Sequence, residues 1–291
     1  MTQTEASGEP HGPAGGKLSH EAAYAEDPGS MPTVPPTDVD LPPLPTFLII
    51  GAQKSATRWL RLNLGLHPAV FTASRELEFF NNGDRYRDLG PSWYREQFLG
   101  WDGEEILGEA TPGYMFWRHR PLVVSERIDE TLPGVKLLAT LRNPIDRAQS
   151  AMIHHMENGK LPADSTLVEL VRATPPDKDK LGIISGGWYG ESLEPYRARF
   201  GDRLQVVLHD DVDDDPRGVY DDALRHIGAS PDFVPPEFER VRFSHQQRAS
   251  TEPGRRPLTL DERRELWTYF ADDVAQLEQM LGRDLSAWNP G

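Results

Sequence analysis

Lys54 stands three positions after Gly51 in the stretch Phe47-Leu-Ile-Ile-Gly-Ala-Gln-Lys-Ser-Ala-Thr-Arg58, where an apolar run gives way to small residues and then to a helical pattern. A turn of this kind aligns successive backbone N–H groups with the positive end of a helix dipole, which makes a cradle for an anion. Lys54 adds a full charge, Ser55 and Thr57 add hydroxyl donors, and Ala56 and Arg58 complete the turn. The expected ligand is a phosphate. The nucleoside-triphosphatase loop needs four residues between two glycines, followed by Lys and then Ser or Thr, and this stretch departs from it. An ordinary strand-to-helix turn with a surface lysine is the bland alternative for this segment taken alone.

The same logic recurs in Lys136-Leu-Leu-Ala-Thr-Leu-Arg-Asn-Pro-Ile-Asp-Arg-Ala-Gln-Ser150. A strand ends at Arg142, Asn143 suits a helix cap, Pro144 suits the first helical position, and Ser150 falls about two turns further on. An arginine at a strand tip and a hydroxyl on the next helix can converge on one phosphate, the guanidinium supplying a planar pair of donors. Two phosphate sites on neighbouring strand ends suit a nucleotide phosphorylated at both its 5′ and 3′ positions.

The elements that must hold these residues are legible in outline. Short apolar runs alternate with longer helical stretches, the pattern of an α/β, P-loop-like, three-layer fold: a central, mostly parallel sheet with helices on both faces. Strands are expected at 47–50, 136–141 and 204–208, and helices at 57–66, from Pro144, and at 191–200. Thr259 and Glu262 form a capping-box pair, after which Leu266, Trp267, Phe270, Val274, Leu277 and Leu281 fall on one face of a single long C-terminal helix. Residues 1–45 hold nine prolines, seven acidic residues and one lysine without apolar periodicity, and read as a disordered tail ahead of one catalytic domain, 46–291.

With 291 residues, 37% of them hydrophobic, the chain can bury a full core. It has no cysteine, which excludes disulfides, thiolate metal sites and a cysteine nucleophile. A formal charge of −15 repels polyanions, so neither nucleic acid nor an anionic membrane is the expected partner, and anion-binding residues must be locally concentrated. No apolar run is long enough to cross a membrane and the N-terminus lacks a signal pattern, so a soluble, cytoplasmic protein is expected. Asp210 to Asp215 has a calcium-loop flavour, but Pro216 falls where such a loop requires glycine, and a solvated loop is expected there. Homo-oligomerisation stays open.

With these residues in view, the chain resembles the PAPS-dependent sulfotransferases (PAPS, 3′-phosphoadenosine 5′-phosphosulfate), most closely the bacterial relatives of the heparan sulfate N- and O-sulfotransferases. The matching landmarks run in order from Phe47–Arg58 through Leu66-His-Pro68, Glu76-Leu-Glu-Phe-Phe80, Trp93-Tyr94, Gly108-Glu-Ala-Thr-Pro-Gly-Tyr114 and Leu141–Ser150 to Leu281-Gly-Arg-Asp-Leu-Ser-Ala-Trp288. The resemblance implies that Lys54 contacts the transferring sulfuryl group and the leaving phosphate, and that Ser55, Ala56, Thr57 and Arg58 line the 5′ side. It implies that Arg142 and Ser150 hold the 3′-phosphate, and that Gly254-Arg255-Arg256 closes over the nucleotide. Glu76 stands where related glycan enzymes carry their catalytic carboxylate.

The chain departs from the family at Glu78, where His or Gln is frequent, and at Ala110, where many glycan enzymes carry lysine. Glu109, His154 and His155 are alternative bases, Tyr189 suits either the adenine or acceptor region or core packing, and His67 ends the first helix. The activity that the resemblance implies is transfer from PAPS, without a metal, to a hydroxyl or amine of a small acceptor, including a glycosylated or lipid-linked natural product, with 3′-phosphoadenosine 5′-phosphate (PAP) as product. Two other readings stay open on the sequence: a nucleotide kinase with a variant phosphate loop, and a non-catalytic PAP- or nucleotide-binding scaffold.

Overall fold

Short β-branched and leucine-rich runs suit strands buried on both faces, and such strands need helices above and below. The computed structural model shows this arrangement; it describes residues 41–116, 118, 120–175, 178–236, 238 and 254–291. Five strands, β1 (Phe47–Gly51), β2 (Val70–Thr72), β3 (Ile106–Ala110), β4 (Lys136–Leu141) and β5 (Leu204–Leu208), form one sheet in the order β2-β3-β1-β4-β5. Every pairing is parallel, so the expected "mostly parallel" sheet is wholly so. In register, Leu48 lies beside Glu109 and Leu137, and Leu141 lies beside Leu208.

The helices are α1 (Thr57–Leu64), α2 (Gly90–Glu96), α3 (Pro121–Thr131), α4 (Pro144–Glu157), α5 (Leu167–Ala173), α6 (Tyr189–Phe200), α7 (His209–Asp214), α8 (Pro216–Ile227), α9 (Leu260–Trp267) and α10 (Ala271–Leu281). Period-two alternation divides the core. Leu48, Ile50, Leu137, Ala139 and Leu141 pack with side chains of α3, α4, α6 and α10. Phe47, Ile49 and Leu138 pack on the other side with Trp59, Leu60 and Leu64 of α1 and Tyr220, Ala223 and Leu224 of α8. Close packing explains Gly108, where a Cβ would come within 2.2 Å of the Phe47 ring.

Strands β1 and β4 are neighbours, yet the helices that come after them leave on opposite faces, α1 on one and α4 on the other. Their loops therefore part at the carboxyl edge of the sheet and open a crevice, the usual place for a ligand in an open α/β sheet. The loop with Lys54 and the loop with Arg142 stand on its two sides.

Three expectations are corrected. The single C-terminal helix is two, α9 and α10, because the Tyr269 carbonyl accepts from Trp188 Nε1 (3.1 Å) and Thr268 Oγ1 donates back to the Glu265 carbonyl (2.7 Å). The apolar face nonetheless runs on through Leu266, Phe270, Val274 and Leu277, all buried. Residues 209–215 are not a solvated loop: they form α7 and the N-cap of α8, with Asp215 accepting from Gly218 N (2.9 Å), Asp211 pairing with Arg283 (2.6 Å) and Asp210 accepting from Trp288 Nε1 (2.7 Å). At the other end, Leu41 is already buried, and Arg95 donates to the carbonyls of Leu41 and Pro42 at 2.7 Å each, so packed chain begins ahead of Phe47. The rest of the expected tail, residues 1–40, lies outside the described residues.

Candidate active site

After β1 the chain turns through two non-glycine residues with left-handed backbones, Lys54 (φ 69°) and Ala56 (φ 80°). This conformation costs free energy outside glycine and persists where surrounding structure enforces it, as at ligand-binding loops. Thr140 of β4 ties the loop down: Ala52 N donates to its carbonyl (2.7 Å), and its hydroxyl donates to the Gly51 carbonyl (3.3 Å). Ser55 is fully buried, and its hydroxyl has no hydrogen-bond partner of good geometry although Tyr189 stands close by. A buried hydroxyl left in this way fits a loop whose acceptor is an incoming oxyanion.

Lys54 is half-buried, and burial lowers its pKa; Arg142 and Arg147 lower it further, while Glu157 opposes them. Like charges gathered in a half-dry crevice are held at a cost that a phosphate or sulfate dianion would relieve. This is the local positive concentration that the overall charge demanded. Arg142 caps the tip of β4, and its carbonyl accepts from the buried Tyr189 hydroxyl at 3.0 Å. Tyr189 thus belongs to the core and braces Arg142 rather than offering an open face. Asn143 caps α4 as expected, accepting from Ile145 N at 3.0 Å, and its amide reaches the Trp288 carbonyl at 3.1 Å.

Ser150, His154 and Glu157 share one stripe of α4. His154 is on the crevice side, its pKa lowered by burial and then by Lys54. His155 is buried, with Nε2 donating to the Leu181 carbonyl (3.0 Å). His67 holds a turn: Nδ1 accepts from Ala69 N (3.1 Å) and Nε2 donates to the Ser230 carbonyl (3.2 Å).

The Gly254–Arg256 segment lies along α4, where Gln149 Nε2 donates to the Arg256 carbonyl (2.7 Å). Arg255 pairs with Glu157 at 3.0 Å. The Arg256 guanidinium is bound to both carboxylate oxygens of Glu262 at 2.8 and 2.5 Å, so the segment reaches the crevice through Arg255. Thr57 is buried at the start of α1, and Arg58 is exposed one residue later.

Glu76 lies on the turn after β2, on the β3 side of the same sheet edge. Solvent reaches its carboxylate, yet surrounding atoms and then Glu78 raise its pKa, with Arg61 opposing. Its charged neighbours are therefore Glu78 and Arg61, whereas those of Lys54 are Glu157, Arg142 and Arg147.

Glu109, the alternative base, is fully buried on β3. Its Oε1 accepts from Tyr94 (2.9 Å) and Tyr114 (2.5 Å), and its Oε2 accepts from Thr111 (2.6 Å). Burial pushes its pKa up to about 7, against the three hydroxyl donors. Ala110, one residue on, packs into the core layer of α1 and α8. A raised carboxylate pKa has a definite sign in stability. The folded state holds a proton that the unfolded state has released between the ordinary value, 4.5, and about 7. The Glu109 contribution is therefore most favourable below pH 4.5 and is lost as pH rises to about 7, by roughly 3 kcal/mol for a shift of this size. Thermal melts of wild type and Glu109→Gln across that window are expected to show the wild type losing ground; parallel curves would contradict the assignment.

Sequence reasoning gave no role to Arg147, Tyr94, Thr111 or Tyr114, which entered only within the landmarks of the resemblance. Arg147 is 1% exposed and donates to the carbonyls of Gly182 and Ile183 behind the crevice. Its position one turn before Ser150 was the available signal.

No family model matches the chain. Among curated proteins it is 26% identical over 281 residues to the human bifunctional heparan sulfate N-deacetylase/N-sulfotransferase 3, covering 84% of this chain and 31% of that protein. It is 39% identical over 107 residues to the human heparan sulfate glucosamine 3-O-sulfotransferase 5, covering 37% of this chain and 30% of that one. The chain thus spans about a third of the length of these relatives. Among solved structures, a sulfotransferase from Alicyclobacillus acidocaldarius superposes with a TM-score of 0.69 and 28% identity, over 84% of this chain and 99% of that one. The Lys54 loop, the Arg142 strand tip and the parallel sheet that sets them side by side agree with these likenesses, and the chain is similar in sequence and fold to sulfotransferases.

Proposed function

We propose that this protein transfers the sulfuryl group of PAPS to a hydroxyl or amine of a small, uncharged or cationic acceptor. The observation that carries the reading is the crevice between β1 and β4, where Lys54, Arg142 and Arg147 act on one another beside a buried, unsatisfied Ser55 hydroxyl. Lys54, Ser55, Ala56, Thr57 and Arg58 receive the 5′-phosphosulfate, Arg142 and Ser150 receive the 3′-phosphate, and Arg255 closes the site with Gly254 and Arg256 as its frame. The donor supplies an electrophilic sulfur with PAP as leaving group. As the acceptor's oxygen or nitrogen bonds to sulfur, the bond from sulfur to the 5′-phosphate oxygen breaks. Glu76 takes the acceptor's proton, and Lys54 neutralises the charge left on PAP. No step in this scheme calls on a metal.

The acceptor class rests on charge. Around Glu76 and Glu78, Arg61 donates to the Ala73 carbonyl (3.0 Å), Arg75 to Gln97 (2.5 Å) and Arg85 to the Leu77 carbonyl (2.6 Å), bonds to neutral acceptors that fix these side chains and leave their charges in place, and Arg85 also pairs with Glu78 at 4.0 Å. It is the net charge of −15 on the whole chain that opposes the approach of a polyanionic glycan. A sugar-bearing or lipid-linked natural product without acidic groups fits better, handled by a soluble, cytoplasmic enzyme. No helix among the described residues is long and apolar enough to cross a membrane.

The test is conversion of PAPS to PAP, followed by mass spectrometry across a panel of neutral sugars, amino sugars and alcohols, with heparan fragments in parallel. Sulfated neutral or cationic products are expected; activity on heparan fragments alone would overturn the acceptor class.

A further inference from the structure

The buried carboxylate that the proposed chemistry does not use is wired to the segment that carries Glu76. Thr111 Oγ1 accepts from the amides of Leu77 (3.0 Å) and Glu78 (3.3 Å), and the Tyr114 hydroxyl accepts from the amide of Phe79 (3.2 Å). Each hydroxyl has a single proton, and each gives it to the ionised Glu109, Thr111 to Oε2 and Tyr114 to Oε1. A hydroxyl that donates in one direction presents its lone pairs in the others. Glu109 therefore orients both hydroxyls so that their lone pairs meet three consecutive amides of the turn. Tyr94 donates to the carboxylate as well, the Leu77 amide also acts on it directly, and Tyr94 stacks on Phe79, with centroids 4.5 Å apart and planes 11° apart. Thr111 is itself fixed to β1, its amide donating to the Ile49 carbonyl at 3.0 Å. Glu78 has a left-handed backbone (φ 47°), a conformation that needs such restraint.

We infer that Glu109 is the positioning residue of Glu76: through the Thr111 and Tyr114 hydroxyls it fixes the backbone of residues 77–79 and with it the placement of the Glu76 carboxylate. The inference rests on Glu76 being the base, and the test separates the two claims.

In Thr111→Val the shape is kept and the relay to Leu77 and Glu78 is cut; Thr111→Ser restores the hydroxyl. Amide exchange of residues 77–79 is measured by NMR, together with the titration of the Glu76 side-chain carbonyl carbon and PAP binding by calorimetry. In the valine variant the Leu77 and Glu78 amides are expected to exchange about tenfold faster. The Glu76 pKa is expected to fall toward the ordinary carboxylate value as the side chain moves away from the atoms that crowd it and from Glu78, PAP affinity is expected to stay within about twofold, and serine is expected to restore the wild-type values. Glu109→Gln, which keeps one acceptor oxygen, is expected to give a smaller change in the same direction. Unchanged exchange, or faster exchange with the Glu76 titration unmoved, would overturn the inference. Wild-type turnover in Glu76→Gln would remove the base reading while leaving the measured clamp intact, so the two failures are distinct.

Discussion

Lys54→Ala is expected to lower sulfuryl transfer by about 10²- to 10³-fold while weakening PAP by only about tenfold. The asymmetry comes from where the charge acts. Lys54 is held half-buried beside Arg142 and Arg147, with burial as the largest cause of its lowered pKa. An ammonium in that setting interacts more strongly with the extra negative charge that develops on a departing phosphate than with the ground-state ligand. Lys54→Arg keeps the charge but replaces a compact ammonium with a planar fork. It is expected to retain most of the PAP affinity and to recover only part of the rate. Equal losses of rate and affinity in Lys54→Ala would assign the lysine to binding alone.

Glu76→Gln is expected to reduce turnover by about 10²- to 10⁴-fold with PAP binding intact. Its pH behaviour gives an independent check. A base works ionised, so the acid limb of kcat/KM falls as pH drops through the Glu76 pKa. Burial first and Glu78 second raise that pKa above the ordinary 4.5. Glu78→Gln removes the second cause and is expected to move the limb to lower pH. A limb that stays in place would mean that another group sets it, and His154, on the crevice side of α4 beside Lys54, would be the next residue to replace.

The strand ends and caps beside Lys54 and Arg142, which the proposal gives to the nucleotide, were the local features most legible in the sequence, because they sit at punctuation marks. Gly51 ends β1, Arg142 follows the last residue of β4, and Asn143-Pro144 opens α4, so local rules for strand ends and caps locate them without tertiary information. The β3 side was not legible in the same way. In Ile-Leu-Gly-Glu-Ala the glycine and glutamate interrupt the apolar run, and β2 is only three residues long. The burial of Glu109 depends on hydroxyls from Tyr94, Thr111 and Tyr114, all outside its own strand and one on a separate helix, and no local pattern announces such a set. The C-terminal break was masked because Leu266, Phe270, Val274 and Leu277 keep helical spacing across it, while the hydrogen bond that marks it comes from Trp188, 81 residues from Tyr269. At Asp215-Pro216 an N-cap followed by proline was readable as a helix start, and the run of aspartates obscured it.

The most direct measurement is a calorimetric titration with PAP, set beside ADP and beside PAP with the Arg142→Ala protein. Tight PAP binding, weak ADP binding, and a loss of about 1.5 to 3 kcal/mol on removing Arg142 are expected, because only a ligand with a 3′-phosphate uses the β4 tip. Folded protein that does not bind PAP, or that binds ADP equally well and ignores the loss of Arg142, would contradict the sulfotransferase account and return the crevice to a kinase or a scaffold.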